Sequence, residues 1–535
     1  MLVLGDILRR HAQVRGAKTA YVVGAERVTY SEFHGHSNRL AHALARLGVR
    51  RGDRVAVLAA NRVEYPVIYF AVLKLGAIVV PVNARFTATE VANVVHHAEA
   101  ETLIVGGDHG PTIAALRADG RLPLVRRFIA LDAGAIPDAP MLADLSDAET
   151  TDEVAANVDE RDPHVMLYTS GTTGSPKGTL LTHRTYFLQA ATSHLQLGFT
   201  EDDVALSMFP MFHMGGWALP LGFWHTGGTV VIMPKAEPRL VLETVAREKV
   251  TYFYAVPTVF DSVLALPDFD RFDVSSIRLL GGGTAPMTRA QVERIMERFH
   301  CPRMVILYGS TEAGPVSVLR PPDVSARPET VGRPYLDVDV RLVDDVGSPV
   351  SAGDVGEIAV RSEFTMAAYW RNPEETARTK RDGWVHTGDL GVFDAEGFLS
   401  IVGRKKEVVR SGGESIFPAE IERVLLGHPA IREAAVVGIP DPHWGEAVVA
   451  AIVLHAGAVL TADDAVAHVR GELAGYKKPR HVVFLDELPR TAASRQVHKP
   501  LLRELVLERL ARATGVDATM SGGTPRGLSS PARRA

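Results

Sequence analysis

The chain has 535 residues, of which 46% are hydrophobic and 23% charged, and its formal net charge is −5. This length is more than one hydrophobic core usually serves, so at least two domains are expected. The slightly acidic balance argues against a nucleic-acid partner, and no apolar run is long enough to span a bilayer. The single cysteine, Cys301, permits no internal disulfide, and the first residues lack a basic and apolar leader, so we expect a cytoplasmic location.

Strand and helix patterns alternate along the first part of the chain. A helix is predicted from Leu4 to Val14, and a longer one from Ser31, as its N-cap, to about Leu47. Short apolar runs predict strands between further helical segments, at 54–59, 78–82, 102–105 and 128–131. This alternation predicts an α/β fold in which helices cover parallel sheets.

The segment Tyr168–Gly178 reads Tyr-Thr-Ser-Gly-Thr-Thr-Gly-Ser-Pro-Lys-Gly. Its glycines let backbone N–H groups approach a ligand closely, its hydroxyls donate hydrogen bonds, and Lys177 adds a positive charge. These properties suit a loop that binds a polyphosphate. An isolated run of this composition is more often a flexible polar connection. Here a buried strand end precedes it, at 165–167, and the lysine has a fixed position, which favours phosphate binding.

Polar or glycine-rich groups also follow later predicted strands. A histidine in apolar company is usually a packed side chain, a glycine-rich strand end can be an ordinary tight turn, and a lone glutamate is usually solvated. A tyrosine, a threonine and a glutamate within five residues can, however, stack on a base, bond a phosphate and hold Mg²⁺. The segments concerned are Pro210–Gly216, Gly281–Pro286, Tyr308–Gly314 and Trp384–Asp389.

In this order, these segments resemble the motifs of the adenylate-forming superfamily, which includes acyl-CoA synthetases, aryl-CoA ligases, luciferases and peptide-synthetase adenylation domains. The resemblance covers roughly residues 5 to 510. It implies a large N-terminal domain of βαβ-type sheets with a β-rich subdomain, at 1–404, and a small mobile α+β C-terminal domain at 405–512. Residues 513–535 are expected to form a disordered tail, because they are rich in small and polar residues.

The resemblance also implies a role for individual residues. The catalytic residues would be Thr169, Lys177, His213, Thr311, Glu312 and Gln496, with Glu312 as the Mg²⁺ ligand. The nucleotide and CoA would contact Ser170, Gly171, Thr172, Thr173, Gly174, Gly282, Gly283, Ala285, Pro286, Tyr308, Gly309, Asp389, Arg404, Lys406, Gly412 and Gly413. Among these, Asp389 and Arg404 would bind the ribose, Lys406 would be the hinge, and Gly412 and Gly413 would approach the pantetheine arm. The acid pocket would be lined by His213, Met214, Gly215, Gly283, Leu307, Pro315 and Val316.

One position departs from the pattern of the superfamily. Most members carry a catalytic lysine after a Leu-Pro-Arg-Thr motif, which here occupies 488–491. Anchoring the comparison on Val497-His498-Lys499 puts Gln496 at the lysine position, in a loop one residue longer than usual. A neutral amide can form hydrogen bonds but cannot neutralise charge. Arg495 could substitute if the loop shifts by one residue, although neighbours on an extended chain point to opposite sides. Lys499 could also reach the site. Alternatively, an ordinary ligase has drifted and compensated.

The resemblance implies ATP- and Mg²⁺-dependent activation of a small-molecule acid, aromatic or medium-chain, as its acyl-adenylate, followed by transfer to CoA. An enzyme of specialised metabolism with another acceptor is the alternative, either forming amides or activating nitrite to diazotise an aryl amine. A third possibility, from another class, is a protein that binds the nucleotide without turnover. A monomer or a homodimer is expected.

Overall fold

The computed structural model describes residues 2–169, 176–285, 287–321, 323–491 and 496–514. The chain divides into two compact units, 1–401 and 402–535. The boundary after residue 404 and the hinge at Lys406 stay predictions. Within the described ranges, no helix is long and apolar enough to cross a membrane.

The helices begin and end as follows. They are α1 (Gly5–Arg15), α2 (Tyr30–Arg46), α3 (Glu64–Lys74), α4 (Ala88–His97), α5 (Gly110–Ala118), α6 (Leu142–Asp147), α7 (His183–Leu197), α8 (Met214–Thr226), α9 (Pro238–Glu248), α10 (Pro257–Leu264), α11 (Arg289–Arg298), α12 (Asp323–Ala326), α13 (Pro373–Thr379), α14 (Pro418–Leu426), α15 (Ala462–Glu472) and α16 (Lys499–Thr514).

The strands are mostly short. They are β1 (Thr19–Val23), β2 (Glu26–Thr29), β3 (Arg54–Leu58), β4 (Ile78–Val82), β5 (Thr102–Val105), β6 (Arg127–Ala130), β7 (Pro163–Thr169), β8 (Lys177–Thr182), β9 (Val204–Ser207), β10 (Thr229–Ile232), β11 (Tyr252–Ala255), β12 (Leu279–Gly283), β13 (Met304–Ser310), β14 (Gly314–Leu319), β15 (Arg333–Pro334), β16 (Asp339–Val343), β17 (Gly356–Arg361), β18 (Ala368–Tyr369), β19 (Lys380–Arg381), β20 (Trp384–Phe393), β21 (Leu399–Arg404), β22 (Val409–Ser411), β23 (Glu414–Ile416), β24 (Ile431–Asp441), β25 (Gly445–Leu454) and β26 (His481–Phe484).

Two large sheets build most of the first unit. One has the order β15-β14-β13-β12-β11-β9-β10-β1-β2, and the other β18-β8-β7-β4-β3-β5-β6. Their central strands are parallel, and the edge pairs β1–β2, β13–β14 and β7–β8 are antiparallel. The predicted α/β fold is therefore confirmed. The carboxyl ends of parallel strands meet at one edge of a sheet, where ligands of such folds bind.

Each large sheet is covered on both faces. One hydrophobic cluster joins the inner faces of the two sheets through α1, α2, α3, α7 and α8, and its largest fully buried side chains include Trp217, Trp224 and Tyr21. Separate clusters lie on the outer faces, against α9–α11 on the nine-stranded sheet and against α4 and α5 on the other. Because residues on both faces of these strands are buried, their sequences are continuous apolar runs.

The remaining strands form two smaller sheets. In the first unit, β16, β17, β20 and β19 make an antiparallel sheet, which β21 extends at β20, and it is the predicted β-rich subdomain. The second unit has a sheet of order β23-β22-β25-β24 with β26 beside β25, packed against α14, α15 and α16. This is the predicted α+β unit. Helix α16 extends past residue 512, to Thr514, and the rest of the predicted tail lies outside the described residues.

The N-cap of α2 is a correction. The sequence prediction gave this role to Ser31, but the cap is Thr29, whose side chain accepts a hydrogen bond from the N–H of Glu32. The Glu32 carboxylate in turn accepts one from the N–H of Thr29, at 2.8 Å. This reciprocal capping box satisfies two N–H groups of the first turn, whereas a cap at Ser31 would leave the Thr29–Glu32 pair unused.

Candidate active site

Thr169 and Lys177, in the candidate phosphate-binding segment 168–178, lie opposite each other on two adjacent strands. Thr169 is the last residue of β7, Lys177 is the first of β8, and the two are paired in the antiparallel register. Both residues are half-buried. The pairing fixes the positions of the hydroxyl and the ammonium on one pair of strands. The intervening candidates Ser170, Gly171, Thr172, Thr173 and Gly174 lie outside the described residues.

The carboxylate of Glu312 joins this strand end to the turn between β13 and β14. The hydroxyl of Thr169 donates to Glu312 Oε1 at 3.1 Å, and the hydroxyl of Tyr369 donates to the same oxygen at 3.0 Å. The N–H of Met366 donates to the carbonyl of Glu312 at 2.8 Å, which fixes its backbone. The neighbouring Thr311 is half-buried in this turn. Two predicted site residues, 143 positions apart in the chain, are thus in direct contact.

The ammonium of Lys177 is held by two side chains that the sequence analysis did not select. It forms an ion pair with Glu375 of α13 and lies 5.2 Å from the ring centroid of Tyr369. Arg378 donates to the same carboxylate at 2.7 Å. Burial raises the pKa of Glu375, but the hydrogen bonds from Lys177 and Arg378 outweigh it, so that the pKa lies below its ordinary value.

Tyr308 and Asp389 form a second pair in the same unit. The hydroxyl of Tyr308, in β13, donates to Asp389 Oδ2 at 2.6 Å. Asp389 is only 5% exposed and follows Gly388, whose φ of +74° marks an irregularity in β20. Glycine adopts this conformation without steric cost. The carboxylate is therefore oriented by a side chain from the nine-stranded sheet. Gly309, also in β13, is opposite Pro315 in β14.

His213 caps the N-terminus of α8. Its Nδ1 accepts a hydrogen bond from the N–H of Gly215 at 3.2 Å, so the neutral ring carries its proton on Nε2. Burial lowers the pKa of His213, which favours this neutral form. A Cβ at Gly215 would lie 3.2 Å from the ring of Phe209, so glycine here permits close packing. Met214, the first residue of α8, is half-buried.

The glycine segment 281–283 is part of β12, where the sequence suggested a turn after the strand. A Cβ at Gly281 would lie 2.4 Å from the ring of Tyr254, and one at Gly283 would lie 2.4 Å from its hydroxyl. Gly282 faces Met287 and Met304 instead. Glycines on one face of β12 therefore make room for the Tyr254 ring. The predicted adenine contacts remain predictions; Ala285 is exposed beyond this strand, and Pro286 is outside the described part of the chain.

The remaining pocket candidates lie on neighbouring strands. Leu307 in β13 is half-buried, and so is Pro315, at the start of β14. Val316 is fully buried in the inner core.

The donor set of the first unit fits a magnesium ion. Among the described residues, no group of three or more His, Cys, Asp or Glu side chains could hold a metal by itself. Mg²⁺ usually keeps several waters and binds one or two carboxylates together with substrate phosphates. Glu312 matches this requirement, because Thr169 and Tyr369 both donate to its Oε1 and no described residue donates to its Oε2. Glu312 would therefore hold the ion.

The other predicted site residues belong to the second unit. Gly412 and Gly413, with φ of +60° and +86°, form the two-residue turn between β22 and β23. This conformation is that of a hairpin turn that requires positive φ at both positions. Arg404, Lys406 and Gln496 are exposed within this unit.

Lys499, one of the two cations considered above as substitutes for the catalytic lysine, forms ion pairs with two carboxylates. Its ammonium lies 3.0 Å from Glu407 and 2.8 Å from Glu422. The other cation, Arg495, lies outside the described residues.

Tyr369 and Glu375 are the contacts that the sequence analysis missed. Asn372-Pro373-Glu374-Glu375 is a recognisable helix start, and Asn372 does cap α13 through the N–H of Glu375, at 3.0 Å. This pattern would have predicted the helix. It gives no indication that the helix contacts Lys177, because that contact joins residues 198 positions apart.

The two sheets, the strand ends at Thr169 and Lys177 and the Tyr308–Asp389 pair form the arrangement expected of an enzyme that activates a substrate with a nucleotide. A family model described as "AMP-binding enzyme" matches residues 8–370, and one described as "AMP-binding enzyme C-terminal domain" matches 420–495. The chain belongs to this family of adenylate-forming enzymes.

Relatives and solved structures agree with this assignment. The chain is 37% identical over 496 residues to a feruloyl-CoA synthase of Amycolatopsis sp, covering 92% of this chain and 97% of the relative. The anthranilate CoA ligase AuaEII, solved in complex with anthranoyl-AMP, is 31% identical with a TM-score of 0.86, over 96% of this chain and 98% of that one. The amide bond synthetase McbA from Marinactinospora thermotolerans is 30% identical with a TM-score of 0.85, over 94% and 99%.

Proposed function

We propose that this protein activates an aromatic carboxylic acid with ATP and transfers the acyl group to CoA. The observation that carries the proposal is the contact of Thr169 with Glu312, which joins the end of the phosphate-loop sequence to the candidate metal ligand. Similarity to a feruloyl-CoA synthase and an anthranilate CoA ligase supports an aromatic acid. The predictions of a cytoplasmic location and of a monomer or homodimer stay predictions.

In the first half-reaction, a carboxylate oxygen of the acid bonds to the α-phosphorus of ATP. The bond from that phosphorus to the bridging oxygen breaks, and pyrophosphate leaves with the electron pair. Lys177 and the loop hydroxyls would hold the β- and γ-phosphates, and Thr311 would contact the α-phosphate. Mg²⁺ held by Glu312 would neutralise phosphate charge. Catalysis then consists of positioning and charge stabilisation.

The electrostatics of the first unit support the need for a metal ion. At the start of β8, the described contact network holds the carboxylates of Glu312 and Glu375 and the cations of Lys177 and Arg378. These four charges cancel and leave no net positive charge for a polyphosphate. A divalent cation bound with the nucleotide supplies that positive charge, so ATP should bind only as its magnesium complex.

In the second half-reaction, the sulfur of CoA attacks the acyl carbonyl carbon, AMP leaves with the electron pair of the acyl–oxygen bond, and the thiol proton passes to water. The second unit would turn about Lys406 between the two steps and bring Gly412 and Gly413 to the pantetheine arm. Such a conformational gate often limits turnover.

Gln496 supports a second candidate, in which the acceptor of the acyl group is an amine. A missing preorganised charge contact typically costs about 2.7–4 kcal/mol, or roughly 10²–10³ in rate. The similarity to an amide bond synthetase points to the same alternative. An enzyme adapted to another acceptor could tolerate a slower adenylation step.

Pyrophosphate release tests the activation step. The protein is incubated with Mg·ATP and a panel of aryl acids, and pyrophosphate is measured for each acid. The active acid is then offered CoA or a simple amine, and nitrite is tested separately with an aryl amine, each product being identified by mass. We expect a thioester that requires CoA. Acid-independent ATP consumption, or no pyrophosphate with any acid, would contradict the proposal, and an amide or a diazonium product would identify the alternative acceptor.

The Gln496→Lys variant separates a weakened site from an adapted one. If the site is weakened, the lysine restores a charge contact, and pyrophosphate release should rise by about tenfold or more. An unchanged or lower rate, with CoA still the acceptor, would mean that Gln496 is adapted to its position. The matched control is Gln496→Met, which removes the amide without adding a charge.

A further inference from the structure

The carboxylate of Glu375 contacts Lys177, the residue that the proposed function takes as a phosphate ligand. The ammonium of Lys177 forms an ion pair with Glu375, and the two side chains are 12% and 15% exposed. A phosphate oxygen and a carboxylate oxygen are both anionic acceptors for the same N–H donors. Glu375 therefore satisfies Lys177 with the kind of group that a triphosphate would supply.

Backbone hydrogen bonds and a helix cap fix the position of Glu375. Residues 366–379, which we call the crossing segment, pair with the strand that begins at Lys177, since Tyr369 is opposite Thr179. The N–H of Trp370 donates to the carbonyl of Gly178 at 2.7 Å. Three residues after Tyr369, Asn372 caps the helix that carries Glu375. The crossing segment thus keeps the carboxylate at the lysine whenever it is paired with β8.

Glu375 has a second cationic partner that leaves Lys177 free to move. Arg378, one turn further along α13, lies 2.6 Å from Glu375 Oε2 and is 58% exposed. If Lys177 turns towards a phosphate, Glu375 still has a counter-ion. A partly buried carboxylate without a partner would be costly, and Arg378 removes most of that cost.

We propose that Glu375 competes with the phosphates of ATP and pyrophosphate for Lys177. The inference rests on the proposed function, because it takes Lys177 as a phosphate-binding residue. With no nucleotide bound, Glu375 holds Lys177 in place. When the triphosphate binds, Lys177 exchanges the carboxylate for phosphate oxygens, and Glu375 stays with Arg378. After adenylation, Glu375 recaptures the lysine and favours the release of pyrophosphate.

Substitution of the carboxylate by its amide tests the competition. Glu375→Gln keeps an oxygen acceptor for Lys177 but removes the negative charge, so Mg·ATP and Mg·pyrophosphate should bind about threefold to tenfold more tightly. The matched control is Glu374→Gln, which removes the same charge one residue away, at an exposed side chain, and should change either affinity by less than twofold. Dissociation constants are measured by calorimetry on the full chain.

Arg378→Gln, at an exposed side chain, should change the two affinities in the opposite direction. Without Arg378, Glu375 depends on Lys177 alone, so both ligands should bind more weakly. In the double variant Glu375→Gln/Arg378→Gln this loss should largely disappear, because the cycle isolates the part that acts through Glu375. Equal losses in the single and double variants would show that Arg378 attracts the phosphates directly, and would overturn the competition.

The outcomes for the two proposals are distinguishable. If Lys177→Met binds Mg·ATP as tightly as the unmodified protein, Lys177 does not bind phosphate, and that assignment fails. If Lys177→Met weakens binding while Glu375→Gln binds ATP and pyrophosphate as the control does, or more weakly, only the competition fails. Tighter binding by Glu375→Gln alone, with a lower inhibition constant for pyrophosphate, supports it.

Discussion

The ammonium of Lys499, the first residue of α16, lies 2.8 Å from a carboxylate oxygen of Glu422 in α14. A second carboxylate, Glu407, approaches it at 3.0 Å. Burial lowers the pKa of Lys499, but the two carboxylates outweigh that effect, and the pKa lies above its ordinary value. The lysine is therefore charged and has its partners within the second unit. We therefore expect Lys499 to have a structural role rather than to substitute for the catalytic lysine of the superfamily, whose position we assign to Gln496.

Lys499→Met should destabilise the second unit. The substitution leaves two carboxylates facing each other without a cation. Because these side chains are 17–28% exposed, the loss should stay below the about 3–5 kcal/mol of a fully buried pair. The thermal unfolding temperature measures the effect. Lys499→Arg, which keeps the charge, should recover most of the loss. If Lys499→Met unfolds like the unmodified protein but loses pyrophosphate release, the lysine acts in catalysis, and this structural role is wrong.

Tyr369→Phe should weaken the response to Mg²⁺. The variant keeps the ring beside Lys177 but removes the hydroxyl that donates to Glu312. A hydrogen bond to a charged group contributes about 1.5–3 kcal/mol. Part of this would be lost in positioning the metal ligand, so the Mg²⁺ concentration that gives half-maximal pyrophosphate release should rise about threefold to tenfold, with a smaller change at saturating Mg²⁺.

Tyr21→Phe is the control for this measurement. It also removes a hydroxyl that donates a hydrogen bond, in this case to the carbonyl of Val63 at 2.9 Å in the buried core. It should lower stability without changing the Mg²⁺ dependence. Equal Mg²⁺ curves for Tyr369→Phe and the unmodified protein would rule out a positioning role for the phenol.

Tyr254→Phe should reveal the polar group of the acid. The side chain is only 9% exposed, and no described residue forms a hydrogen bond with its hydroxyl, which lies against Gly283. A site that hydrogen-bonds a substrate group discriminates strongly against analogues that lack it. For acids with a ring hydroxyl or amino group, kcat/KM should fall about tenfold or more, whereas benzoate should be little affected. A uniform change across the panel would mean that Tyr254 acts only by packing.

Local structure could be predicted from the sequence because its causes are local. The strand Ile78–Val82 was predicted at its observed bounds, because a short apolar run rich in β-branched residues is typical of a strand buried on both faces. The first turn of α14 was indicated by Pro418, which lacks the N–H that a helix start leaves unpaired. The prediction of Ser31 as the N-cap of α2 was wrong. Thr29 and Ser31 are both suitable cap residues, and the hydrogen bonds with Glu32 favour Thr29.

The contacts of the site depend on which segments meet in space. Lys177 and Glu312 could be selected from motifs, but the sequence does not indicate that Tyr369 and Glu375 would reach them. Those contacts require the short pairing of β18 with β8, between segments far apart in the chain. A two-residue strand has no periodicity to detect. The ligand contacts assigned to Gly282 and Gly283 of β12 stay predictions. The sequence did not indicate that Gly281 and Gly283 also make room for the side chain of Tyr254.

The first unit should lose stability in acid through its buried histidines. Burial lowers the pKa of His183 from 6.5 to about 4, and Asp162 opposes this only partly. His164, which lies beside it with 5.4 Å between ring centroids, also has its pKa lowered by burial. The unfolded chain takes up a proton on His183 near pH 6.5, whereas the folded protein does so only near pH 4. The free energy of unfolding therefore falls as the pH decreases between these values.

Each pKa unit corresponds to about 1.4 kcal/mol, so His183 alone should account for about 3 kcal/mol over that interval. His183→Asn keeps an oxygen that can accept the hydrogen bond now donated by the N–H of Leu4. This variant should show a shallower decline of the unfolding temperature between pH 6.5 and 4, whatever its stability at neutral pH. The control His96→Asn changes an exposed histidine and should decline like the unmodified protein. Parallel curves for all three proteins would exclude His183 as a cause of the acid sensitivity.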